Sequence, residues 1–168
     1  MVGSLVLEGR ALADPTKAEC FTSSEKGQEL QHAGRLRVAR EQFVTCAAAS
    51  CPDVVRADCA AHVEEVQRAQ PSIVFEVKDS AGADLSAVHV SMDGAVAVTQ
   101  LDGRPIDVDP GNHQFRFEVA GAPAVEKALL IREGEKGRRE RIAIATALPT
   151  ASVLSLIHIS EPTRQAEI

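Results

Sequence analysis

Two hydrophobic periods divide the chain. Before Gln70 the apolar residues recur every three to four positions, and beyond Pro71 they alternate with polar ones at every second position. The first spacing marks one face of a helix and the second one face of a strand. A first helix is expected over roughly 18–33, with Asp14-Pro15 or Thr16 at its start as cap and first-turn proline, and Gly34 as the turn that ends it. A second is expected over 36–48, because Leu36, Ala39, Phe43 and Cys46 fall at i, i+3, i+7 and i+10. Ser50-Cys51-Pro52-Asp53 breaks it. Asp53 then reads as the cap of a third helix over 54–69, with Val55, Cys59, His62 or Val63, and Val66 on its buried face.

In the second half, Ile73, Phe75 and Val77 alternate with Val74, Glu76 and Lys78, and Val88, Val90 and Met92 alternate with His89 and Ser91. Asp93-Gly94 is a hairpin signal, since glycine reaches positive φ without steric cost. Val96 and Val98 follow, then a turn at Asp102-Gly103, then Ile106 and Val108, then the turn Asp109-Pro110-Gly111. His113, Phe115, Phe117 and Val119 share one face; Val125, Lys127, Leu129 and Ile131 make another strand; Ile142 and Ile144 mark the last. The pattern predicts an α+β fold: a helical hairpin plus a third helix, then a small antiparallel β-sandwich of about seven strands. It places a helical domain at 14–70 and the sandwich at 71–147.

Two families are resembled. Gly27, Leu30, Gly34, Leu36, Ala39, Phe43 and Cys46 have a spacing similar to a tetratricopeptide repeat. The resemblance implies that Gly27 and Ala39 lie where two helices approach closely and that Phe43 fills the core of the hairpin. Pro52 sits one place beyond the family's turn proline, and Ser23 stands where the motif has an early aromatic. One repeat is matched, about a third of the chain, whereas repeat arrays generally need about three units. The resemblance therefore implies a partial unit that leans on the next domain or on a partner; a plain three-helix bundle fits the same residues. The sandwich half resembles the bacterial PEGA-type module through Val88-His89-Val90-Ser91-Met92-Asp93-Gly94, through Asp109-Pro110-Gly111-Asn112-His113-Gln114-Phe115-Arg116-Phe117, and through Gly121. Ala83-Asp84-Leu85-Ser86 stands where that family has its Pro-x-Gly-Ala entry. The likeness implies a non-catalytic extracytoplasmic module attached to others.

The ends carry their own signals. Ala11-Leu12-Ala13 before Asp14-Pro15 has the small-x-small form of a signal-peptidase site. The apolar stretch from Val2 to Leu7 is short, interrupted afterwards by Glu8 and Arg10, and has no basic region before it. Residues 1–13 read as a truncated export signal, or as an ordinary helix turn. Leu154–Arg164 resembles the conceptual translation of a sequencing adapter, which makes 148–168 a linker remnant and an adapter-derived tail; a short amphipathic tail is the plain alternative. On the adapter reading the natural chain continues past about Val153, and a membrane anchor is expected only there. No run of eighteen apolar residues occurs in the sequence.

Composition and charge narrow the function classes. The 168 residues carry a net charge of −6, with 45% hydrophobic and 25% charged side chains, so the composition is that of a globular chain. Acidity, with no Trp or Tyr and five Phe, argues against nucleic-acid binding, which needs a basic face and stacking platforms. Cys20, Cys46, Cys51 and Cys59 all lie in the helical third; beside an export signal this even number reads as two disulfides, with three pairings open. Cys46, Cys51, Cys59 and His62 offer a zinc site as the alternative, though without a CxxC knuckle, and free buried thiols are the remaining one. His113 reads as a turn or core residue, His89 as solvent-facing, and His32 as a helix-end cation. Arg132, Lys136, Arg138, Arg139 and Arg141 interleave with Glu133, Glu135 and Glu140, a solvated mixed-charge tip or a contact for an acidic polymer. No Gly-x-Ser-x-Gly, phosphate loop or His-Glu-x-x-His is present. The sequence thus points to a non-catalytic cell-envelope interaction protein, periplasmic, with no cofactor and with a protein or wall component as partner. The alternatives are a fragment of a larger anchored sensor and a metal protein built on the cysteines.

Overall fold

A computed structural model describes residues 14–145. The proposed export segment, the tail and the adapter-like stretch lie outside the described residues.

Helix α1 (Lys17–His32) begins with a complete capping box: the Thr16 side chain accepts from the Glu19 N–H, and Glu19 Oε2 accepts from the Thr16 N–H at 2.7 Å. It ends where Gly34, at φ +70°, lets the Arg35 N–H reach back to the Leu30 carbonyl at 2.9 Å. Helix α2 spans Leu36–Cys46 and α3 spans Asp53–Ala69. Pro52, not Asp53, occupies the position before the first turn of α3; Asp53 is the first helical residue and pairs with Arg56 at 2.8 Å. The proline's extended backbone sets that boundary one residue earlier than the expected cap. Leu30, Leu36, Ala39, Phe43, Cys46, Cys59 and Val66 form the helical core. Phe43 is fully buried, and a Cβ on Gly27 would lie 2.6 Å from its Cε1, so only glycine lets α1 pass over the ring.

The strands are β1 (Ser72–Lys78), β2 (His89–Met92), β3 (Ala95–Val98), β4 (Ile106–Asp107), β5 (Gly111–Glu118), β6 (Val125–Ile131) and β7 (Arg138–Ala143). They form two sheets, ordered β4-β1-β7 and β3-β2-β5-β6. Every ladder is antiparallel except β1–β7, which is parallel from Ile73 opposite Arg138 to Lys78 opposite Ala143. This departs from an all-antiparallel sandwich. Side-chain alternation fixes which face of β7 turns inward, but not its direction. The sheets enclose a second core in which Phe75 meets the rings of Phe115 and Phe117 edge-on, at 5.1 and 4.9 Å between centroids. The protein is an α+β fold with one core per half.

Candidate functional site

The four cysteines pair as Cys20–Cys51, tying α1 to the α2–α3 turn, and Cys46–Cys59, tying the end of α2 to the middle of α3. With every thiol committed, no thiolate remains for a metal and none is free, which corrects both the zinc and the free-thiol alternatives. His62 stacks on Phe43 at 4.7 Å instead of joining the sulfurs. Its Nδ1 comes within 3.3 Å of Glu65 Oε2 without hydrogen-bond geometry. Among the described residues no three His, Cys, Asp or Glu side chains converge as a metal site.

The elaborated polar chemistry lies at the joint between the halves. The connecting segment Gln70-Pro71-Ser72 is buried, not a solvated linker. Helix α2 has no side-chain cap of its own, because Arg35 occupies the cap position. Asp109, from the turn before β5, supplies one: its Oδ1 accepts from the Arg37 N–H at 2.9 Å, and Pro110 lies beside Gly34. At the other end, the β6–β7 turn caps α3. The Gly134 N–H donates to the Ala69 carbonyl at 2.6 Å, and Lys136 Nζ donates to the carbonyls of Gln67, at 2.6 Å, and Gln70. A carboxylate thus meets a helix N-terminus and an ammonium a helix C-terminus, each where the helix leaves backbone groups unsatisfied. The Gln70 amide donates to the Val108 carbonyl, the Ser72 N–H donates to the Glu135 carbonyl at 2.9 Å, and Ser72 Oγ accepts from the Gly137 N–H at 2.9 Å. An open cleft of about 150 Å³ at the joint is lined by Arg40, Gln67, Gln70, Asp107 and Lys136, and the buried Gln70 Oε1 has no hydrogen-bond partner.

The turn that carries Asp109 is held from the sandwich side by His113. Its Nδ1 lies 2.6 Å from Asp93 Oδ2 and its Nε2 lies 2.9 Å from the Asp109 carbonyl. Asp93 Oδ1 also accepts from the Gln114 N–H at 2.9 Å. These bonds, that to His113 foremost, hold the Asp93 carboxyl below its ordinary range.

The charged tip divides into two groups. Arg139 and Arg141 share Glu76 on the outer face of the β4-β1-β7 sheet, and their hydrogen bonds lower its carboxyl. Arg138 donates to Glu140, to Glu135 and to the Leu130 carbonyl, while Lys127 donates to the other Glu140 oxygen at 2.8 Å. Burial alone would raise Glu140; the bonds from Lys127 and Arg138 more than offset it and leave the group lowered. Lys136 belongs to the joint, so the tip is not simply solvated. His89 lies on the outward face of β2, opposite the buried Val90 and Met92, half-buried in the wall of an open depression of about 500 Å³ with Thr99, Gln100 and Glu118. His32 sits exposed at the end of α1. Sequence reasoning found His113 and the cysteines but not Asp93, Asp109, Lys136 and Gln70 as partners. The available signal was a pair of helix ends with no local cap.

No family model matches the chain, and no curated protein matches it. Among solved structures, phospholipase PlaB from Legionella pneumophila in complex with thio-NAD is similar over 89% of this chain and 45% of that one, at 13% identity and a TM-score of 0.35. The chain therefore spans less than half of that neighbour, and the likeness is too slight to carry a statement about fold or activity.

Proposed function

We propose that the protein is a non-catalytic scaffold of the bacterial cell envelope, presenting a tetratricopeptide-like helical face and a PEGA-like sandwich face to a protein or wall partner in a fixed relative orientation. One observation carries this reading: the sandwich caps the start of α2 and the end of α3, through Asp109 and Lys136. Side-chain bonds between residues so far apart in sequence commit polar groups to orientation. One feature supports the compartment: both cysteine pairs are disulfides, which persist in oxidising environments.

The test has two parts. Protein recovered from its native cells under alkylating conditions is expected to take up thiol label only after reduction; four thiols labelled without reductant contradict the compartment. Cross-linking in intact cells is expected to give discrete species of defined larger mass that reach a plateau as the partner is saturated. A chain that stays uncross-linked at every dose contradicts the scaffold.

A further inference from the structure

The His113 ring sits between two acceptors. Asp93 Oδ2, 2.6 Å from Nδ1, belongs to a carboxylate held in its ionised form, and the Asp109 carbonyl, 2.9 Å from Nε2, carries no proton at all. A neutral imidazole has one N–H, so one of these contacts would then set a nitrogen lone pair against an oxygen lone pair. Only the doubly protonated ring satisfies both.

We propose that His113 is a proton-dependent clasp on the joint: with both nitrogens protonated it ties the β2–β3 turn to the Asp109 turn, and with one proton lost it releases the Asp109 turn and weakens the cap that turn places on α2. The contact that survives is the one to Asp93, because it is the shorter and joins an N–H to a carboxylate. Asp93 is itself fixed: it lies at φ +52°, and its second oxygen is held by the Gln114 N–H. The released contact is therefore the one on the side of the joint, where the Asp109 carboxylate holds the Arg37 N–H of α2.

The surroundings leave the charge to these groups. From the β2–β3 turn the ring faces Asp93, and from the β4–β5 turn the Asp109 carbonyl, while the Asp109 carboxylate is bonded to the Arg37 N–H. On β6 its register partner is uncharged Leu129, and on its own strand it meets the edge of Phe115 at 6.3 Å. Among the described residues no other charged side chain bonds the ring. The inference rests on the joint alone and holds or fails whether or not an envelope partner exists.

The experiment is an NMR titration of the isotopically labelled full chain from acid to mildly alkaline pH. It follows the His113 ring nitrogens, the Arg37 amide and amide exchange in the first turn of α2. Both ring nitrogens are expected to be protonated at the acid end. The Arg37 amide is expected to shift with the same midpoint as the ring, and first-turn exchange, corrected for base catalysis, to quicken several-fold once the proton is lost. Asp109→Ala should abolish the Arg37 response while the ring still titrates. His113→Asn should flatten the response; should that variant not fold, the wild-type titration decides alone. An Arg37 amide that stays still while the ring titrates overturns the proposal, as does a ring already neutral at the acid end.

Discussion

At the residue scale the fold depends on a few positions with no slack. Gly27 is one, because α1 crosses the Phe43 ring at the distance a methyl group would occupy. Gly27→Ala is expected to cost about 1–3 kcal/mol by overpacking. Phe43→Ala, at a fully buried ring, is expected to cost about 3–5 kcal/mol. Urea unfolding of each variant checks both, read as a lower midpoint at unchanged slope. The lowered carboxyls give a pH dependence with a definite sign. Asp93, Glu76 and Glu140 bind protons more weakly folded than unfolded. Their stabilisation is full above the unfolded values, about pH 4, and is lost as pH falls through the folded ones. Stability is therefore expected to hold as pH falls to about 5 and then to decline, and Asp93→Asn should make that acid decline shallower. Unfolding midpoints across an acid series measure it.

At the element scale the helices are held by ties that lie far apart in sequence. The Cys20–Cys51 and Cys46–Cys59 bridges close segments with separations of 31 and 13 residues. Chain-entropy arithmetic gives about 4 kcal/mol for the longer and about 3 kcal/mol for the shorter. Replacing Cys20 and Cys51 together by serine should therefore destabilise more than replacing Cys46 and Cys59, provided that the buried sites relax alike; thermal unfolding of the two double variants ranks them. The cap on α2 predicts that Asp109→Ala costs about 0.5–2 kcal/mol, with faster amide exchange confined at first to the start of α2. Much of this level could be read in advance. The helical period, the Gly34 stop and the turns at Asp93-Gly94 and Asp109-Pro110-Gly111 are local signals, and each reports itself in the residues beside it. What could not be read is long-range. Four cysteines allow three pairings until the helices face one another. Ile142 and Ile144 say which side of β7 is buried, but not that it runs parallel to β1. Nothing near Asp109 says that its carboxylate serves an amide 72 residues away. The missing caps of α2 and α3 were the only trace of those contacts.

At the scale of the whole molecule, two cores of different period are joined by a buried segment and two crossed helix caps. Only a few large apolar side chains stand exposed among the described residues, among them Phe21, Val44, Val54, Val96 and Leu130. They are scattered over different elements, so among the described residues the helical unit shows no broad exposed apolar face. It leans instead on the sandwich, through Gln70, Lys136 and Asp109. The proposed scaffold role requires this: two faces would hold a partner in register only if the joint between them is stiff. The direct test is residual dipolar couplings of backbone amides in the full chain, fitted separately for α1–α3 and for β1–β7. One alignment tensor is expected to fit both sets. Two tensors differing in magnitude or axis would show the halves reorienting independently and would contradict the stiff joint.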